Sequence, residues 1–135
     1  MFRVGREINF SYGHRLMDYD GKCAHLHGHN GRVLIEISSE KLNHQGMVMD
    51  FYKIRETIGV WIQETLDHRT ILWDKDPLAE PLQKAGEPVV LFKENPTAEV
   101  IAKHIFEEAR RLRLPVCQVT LWETENSFAV YHPEA

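Results

Sequence analysis

The chain has 135 residues, 43% hydrophobic and 27% charged, which suits one globular domain over 1–135 and leaves no room for a second of ordinary size. Its formal net charge is −4, and its densest basic run, Arg110, Arg111 and Arg113, falls at the end of a predicted helix, so nucleic acid is not expected as a partner. No apolar run is long enough to span a membrane, the N-terminus alternates without the apolar stretch of a signal peptide, and the two cysteines imply no disulfide framework, so the expected setting is a reducing cytoplasm without membrane contact.

Residues 2–11 alternate, with Phe2, Val4, Ile8 and Phe10 on one parity and Arg3, Glu7 and Asn9 on the other, which predicts a strand. A polar segment follows to about His25. A second strand is expected over 27–38, with Val33, Ile35 and Ile37 on one face, and then a turn over 39–46 containing Asn43 and Gly46. From Phe51 the period becomes helical: Phe51, Ile54, Ile58, Ile62 and Leu66 predict an amphipathic helix over 51–66, capped by Asp50.

Residues 72–94 read as a long connection punctuated by Pro77, Pro81, Gly86 and Pro88, within which Val89–Phe92 can add a short strand. Asn95-Pro96-Thr97 opens a second helix with a cap residue and a first-turn proline, Ile101, Ile105, Ala109 and Leu112 form its apolar stripe, and Pro115 closes it. Strands at 116–123 and 127–132 follow, joined by a tight turn at Glu125-Asn126. The order β-β-α-α-β-β predicts an α+β domain, an antiparallel four-stranded sheet with both helices on one face. A chain this short leaves about a third of its unfolded surface accessible, so self-association would help it.

The strongest chemical signal is His27-Gly28-His29. In a strand, residues two apart point to the same side, so both imidazoles can reach one ion. His14, just beyond the first strand, is the candidate third ligand. Three imidazoles with an open fourth position is the pattern of catalytic zinc; surface histidines without a metal are the plain alternative. Cys23, four residues before His27, could be a fourth ligand, a nucleophile, a base or a buried apolar residue. Cys117 falls on a core parity. Asp67-His68 follows the first helix; a carboxylate beside an imidazole can orient a general acid or base, and a helix end can also simply place such a pair in solvent. Glu123 ends an otherwise apolar parity of Cys117, Val119 and Leu121, either at an exposed strand end or as a bidentate acceptor for paired N–H groups.

These segments together resemble the 6-pyruvoyl-tetrahydropterin synthase / 6-carboxy-tetrahydropterin synthase family over nearly the whole chain. The resemblance rests on FSYGHRL at 10–16, KCAHLHGHNGRV at 22–33, GMVMDF at 46–51, LDH at 66–68, NPTAE at 95–99 and WETEN at 122–126. It implies the tunnelling fold, assembled as a homohexamer (a dimer of trimers) with active sites at subunit interfaces. It implies zinc held by His14, His27 and His29, Cys23 as the catalytic proton acceptor, and Asp67 and His68 as a proton relay reaching the site from a neighbouring chain. It also implies Glu123 as the carboxylate anchoring the pterin, Thr97 in the pterin pocket, and 7,8-dihydroneopterin triphosphate as substrate.

The short Cys23-x-x-x-His27-x-His29 spacing resembles the bacterial 6-carboxy type of the queuosine (7-deazaguanine) pathway, which releases acetaldehyde and triphosphate. Glu123-Thr124-Glu125-Asn126 leans towards the pyruvoyl type, which only eliminates triphosphate. A zinc-binding module without catalysis is the reading from another class; an additional thiol, relay and carboxylate argue against it.

Overall fold

The computed structural model describes residues 1–134. Alternation sets the first hairpin: β1 (Phe2–His14) and β2 (His27–Ser39) pair antiparallel over their full length, from Phe2↔Ser39 to His14↔His27. β1 runs beyond the expected 2–11 because Tyr12 and His14 continue the inward parity of Ile8 and Phe10, whereas β2 matches its expected 27–38 to within one residue.

The strands expected after the second helix are present as β5 (Val116–Trp122) and β6 (Phe128–Tyr131). With β1 and β2 they form an antiparallel block. The sheet has six strands rather than four, in the order β4-β3-β1-β2-β5-β6. The additional pair is β3 (Arg69–Trp73) and β4 (Val89–Phe92), with β3 parallel to both β1 and β4. A parallel pair needs a crossover. The short helix α2 (Ala79–Lys84) supplies it, which is the local structure within the 72–94 connection.

Helix α1 spans residues 51–65: an α-helical turn at Phe51–Ile54, a π-helical turn at Arg55–Gly59 and a further α-helical stretch at Val60–Thr65. Asp50 caps it, its carboxylate accepting the Tyr52 N–H at 2.9 Å. Helix α3 (Ala98–Arg111) is capped by Thr97, whose hydroxyl accepts the Val100 N–H at 3.2 Å. Ile54, Ile58 and Ile62 of α1 and Ile101, Ile105 and Ala109 of α3 pack on Ile8, Val33, Ile35, Ile37, Val119 and Leu121 of the sheet, all buried in one core.

Cys117 departs from its expected core position. The ladder between β2 and β5 shifts at Glu36/Ile37, so that Ile37 pairs with Val116 while Ile35 pairs with Val119. Such a bulge breaks the period of two. Val116 is buried in place of Cys117, whose thiol is half-buried 3.4 Å from the Glu36 carbonyl oxygen. No helix among the described residues is long and apolar enough to cross a membrane.

Candidate metal centre and active site

The β1–β2 register brings His14 directly opposite His27 and Tyr12 opposite His29. Tyr12 belongs to the buried core, and His14, on the same parity of β1, extends that face to the end of the sheet beside His27 and His29. The imidazole centroids of His14, His27 and His29 lie 4.6–5.1 Å apart. Their ligand nitrogens converge within 4.8 Å of one another. Each ring is steered from behind or by its neighbours: His14 Nδ1 donates to the Pro96 carbonyl and His27 Nδ1 to the His25 carbonyl, both at 2.7 Å. Those bonds assign the proton to Nδ1 and leave the Nε2 lone pair free.

All three Nε2 atoms are buried and have no hydrogen-bond partner among the described residues. Buried polar atoms are rarely left so, and a shared cation resolves all three at once. Burial keeps His14 below the ordinary imidazole range, with the neighbouring rings adding to that and Pro96 and Glu123 opposing it. His29 is lowered in the same way, again by burial first. Neutral imidazole is the metal-binding form. Three nitrogen donors with no thiolate among them fit a divalent ion of the zinc type with its fourth position open.

Glu123, at the end of β5, turns its carboxylate to this cluster. Oε1 lies 3.7 Å from His14 Nε2, and Oε2 lies 3.9 Å from His29 Nε2. The Tyr12 hydroxyl donates to Oε1 at 3.3 Å. Burial, reinforced by the Glu123 charge and this bond, raises the Tyr12 phenol far above its ordinary value, so it remains a donor. Gly31 makes room for this tyrosine: a Cβ there would lie 3.0 Å from Tyr12 Cε1 and 3.3 Å from Phe10 Cε1.

Cys23 sits in a single 3-10 turn, Lys22–Ala24, half-buried. It borders a cavity of about 310 Å³ together with His14, Asn95, Thr97, Glu99 and Glu123. Thr97 therefore lines the cavity, while its hydroxyl is engaged as the α3 cap.

Asp67 and His68 approach the imidazole cluster from another side. Asp67 Oδ1 accepts the Ser11 N–H at 2.8 Å, and Oδ2 lies 2.9 Å from His68 Nδ1. Burial acts to raise the Asp67 carboxyl, but the Ser11 N–H and His68 together hold it below its ordinary value. His68 has a left-handed backbone (φ 60°) and an imidazole 80% exposed. It borders a second cavity, of about 430 Å³, with Ser11, Gly13, Gly28, Asn30 and Thr70. His27 and His29 reach this cavity as well; Cys23, His14 and Glu123 do not. Within one chain the thiol and the Asp67–His68 pair thus open into different cavities.

Four contributors to the site were not singled out from the sequence: Tyr12, Glu99, and the carbonyls of His25 and Pro96. Tyr12 shares the parity of His14, which was a usable signal. Backbone carbonyls leave no signature in side-chain chemistry.

The model of the family described as 6-pyruvoyl tetrahydropterin synthase matches residues 3–134. A 6-carboxy-5,6,7,8-tetrahydropterin synthase of Rickettsia bellii is 34% identical, covering 95% of this chain and 98% of its own. Among solved structures, an uncharacterized protein from Wolinella succinogenes superposes with a TM-score of 0.84 at 27% identity, over 98% of both chains. The 6-pyruvoyl tetrahydropterin synthase of Caenorhabditis elegans superposes with a TM-score of 0.75 at 26% identity, over 98% of this chain and 96% of its own.

Proposed function

The chain belongs to the 6-pyruvoyl tetrahydropterin synthase family, and from that premise we propose that it is a zinc-dependent lyase converting 7,8-dihydroneopterin triphosphate to 6-carboxy-5,6,7,8-tetrahydropterin. Acetaldehyde and triphosphate are the other products. The observation that carries this reading is the convergence of three unpartnered buried Nε2 atoms beside a cavity lined by Cys23 and Glu123. The 6-carboxy name of the Rickettsia bellii relative supports the product; the Caenorhabditis elegans likeness keeps the pyruvoyl product as the alternative.

His14, His27 and His29 are the residues that would hold zinc, which supplies Lewis-acid polarisation of the substrate's side-chain hydroxyls when bound. The Cys23 thiolate takes a proton from the pterin side chain. Asp67 orients the His68 imidazole through the contact between Oδ2 and Nδ1, as a carboxylate does for a relay histidine. Glu123, close to two of the imidazoles and fixed by Tyr12, accepts hydrogen bonds at the metal end of the cavity.

Glu99 and Glu123 both line that cavity. A carboxylate is the natural acceptor for the adjacent ring and amino N–H groups of a pterin, and Thr97 helps to shape the wall. Since Glu123 is engaged with Tyr12 and the imidazoles, Glu99, which makes no ion pair among the described residues, shares the anchoring role with it. Because the thiol and the relay open into different cavities of one chain, we take the working unit to be an oligomer, a homohexamer built as a dimer of trimers. The reducing cytoplasm is the setting that keeps Cys23 a free thiol.

Incubation with dihydroneopterin triphosphate, mass analysis of the pterin and an acetaldehyde assay test the reading. The carboxy pterin with stoichiometric acetaldehyde is expected. A pyruvoyl pterin without acetaldehyde would select the alternative, and no triphosphate release would reject both.

A further inference from the structure

The segment from Arg15 to Cys23 has little regular structure, yet it is tied at three points. The Leu16 N–H donates to the Cys23 carbonyl at 2.8 Å and closes the loop. Met17 exchanges two bonds with the Asn95 side-chain amide, its N–H donating at 2.9 Å and its carbonyl accepting at 2.8 Å. Arg15, the residue after His14, places Nε 2.8 Å from Asp76 Oδ2, with its Nη2 on Oδ1 of the same carboxylate.

Asp76 is rigidly mounted. Its side chain has no exposed surface. Its N–H donates to the Trp73 carbonyl at 2.9 Å, and Oδ1 also accepts the Leu78 N–H at 2.8 Å. A carboxylate out of water is costly unless paired and hydrogen-bonded, and an arginine fork meets that need with directional precision. Neither side chain belongs to the hydrophobic core. The pair instead joins the β3–α2–β4 crossover to the residue that follows a predicted metal ligand.

We propose that Asp76 is a positioning residue, which through Arg15 holds the 15–23 loop so that the Cys23 thiol stands in the cavity it shares with His14. This rests on the assignment of Cys23 as the catalytic thiol. It gives the 72–94 connection a function: the crossover mounts an anchor for the loop. Displacing a reacting group by about an ångström costs on the order of 100-fold in rate, so a loop held at its first residue is an effective point of control.

The test uses the full-length, zinc-loaded chain as wild type, R15M, D76N, the double variant R15M/D76N, and R15K. Iodoacetamide alkylation of Cys23 is followed by peptide mass mapping, with Cys117 as internal reference, beside zinc content, melting temperature and steady-state kinetics. The single variants are expected to alkylate several-fold faster at Cys23 and not at Cys117. Their kcat should fall by about 10- to 100-fold with KM little changed. The double variant should be no worse than the worse single, since both remove one interaction. R15K, which keeps the charge and loses the fork, should fall between and remain folded if the others do not.

Wild-type labelling and kcat in folded, zinc-loaded variants would overturn the inference. So would equal exposure of Cys23 and Cys117, which marks general loosening. If wild type itself fails to turn over the pterin, the functional reading fails, and the labelling still decides the positioning role.

Discussion

His14 and His27 are direct partners in the last rung of the β1–β2 ladder, with their ring centroids 4.6 Å apart. Antiparallel partners share a face, so this one rung puts two imidazoles together, and His29 joins them by the strand period of two. The candidate metal site is therefore a property of strand register, and a one-residue slip of β2 would send His27 and His29 to the face opposite His14.

The purified chain should carry about one zinc. His14→Ala, His27→Ala and His29→Ala each remove a ligand and should lose most of the metal. The loss should exceed the roughly 10- to 100-fold in affinity typical of disturbing a group behind a ligand. Metal analysis with circular dichroism checks this, and full occupancy in a folded His27→Ala or His29→Ala variant would remove His-Gly-His from the site.

Much of this arrangement was legible in the sequence because it is local. Alternation and helical spacing define β1, β2, α1 and α3, and His-x-His in a strand declares its own geometry. What was not legible depends on distant partners. β3 is five residues long, and its parallel neighbours come from residues 12–14 and 89–92. The half-burial of Cys117 follows from a bulge opposite Glu36/Ile37, which no parity count on β5 alone reveals. Tyr12 and Glu123 are 111 positions apart, so their contact appears only once β1, β2 and β5 are aligned.

Cys23→Ala should fold and retain zinc while turnover falls by about 10²- to 10⁴-fold, the range for loss of a general base. Cys23 borders the cavity but does not belong to the convergent ligand set. Loss of zinc in parallel with activity would instead make the thiol a ligand.

Gly31→Val would drive a side chain into the Tyr12 ring, since even a Cβ would approach to 3.0 Å. Overpacking of this kind costs about 1–3 kcal/mol. The displaced Tyr12 should also release Glu123, so kcat should drop alongside stability. A chemical-denaturation curve and turnover, both unchanged, would show that the ring has room to move.

Asp76 also predicts an acid limit. The Arg15 hydrogen bonds, first among the causes, hold its carboxyl below the ordinary range; burial opposes them and the Leu78 N–H assists. A group with a depressed folded pKa binds fewer protons folded than unfolded. Its stabilisation is thus complete above the ordinary carboxylate pKa of about 4 and lost as pH falls through the lower folded value. Wild type should be the more stable protein at neutral pH, and the gap to Asp76→Asn should narrow below about pH 4. Denaturation across that range checks the sign; a gap that widens in acid would contradict it.

Cys23 is separated from Asp67 and His68 within one chain. The imidazole of His68 is 80% exposed, is bonded among the described residues only to Asp67, and borders a cavity that His27 and His29 reach but Cys23, His14 and Glu123 do not. A relay left in solvent does little for a reaction in the other cavity, because proton transfer needs hydrogen-bond reach or one bridging water. If a second copy of the chain brings His68 to the thiol, each active site is assembled from two chains. Cys23→Ala and His68→Ala proteins should then both be inactive alone. Mixed after reversible dissociation, they should regain activity, because some interfaces combine an intact thiol from one chain with an intact relay from another. Recovery should rise and fall with the mixing ratio, greatest near equal amounts. Light scattering of the wild type should show an oligomer under the same conditions. An active monomer, or mixtures that stay inactive although mass analysis shows mixed oligomers, would place the relay in its own chain's site or remove His68 from the chemistry.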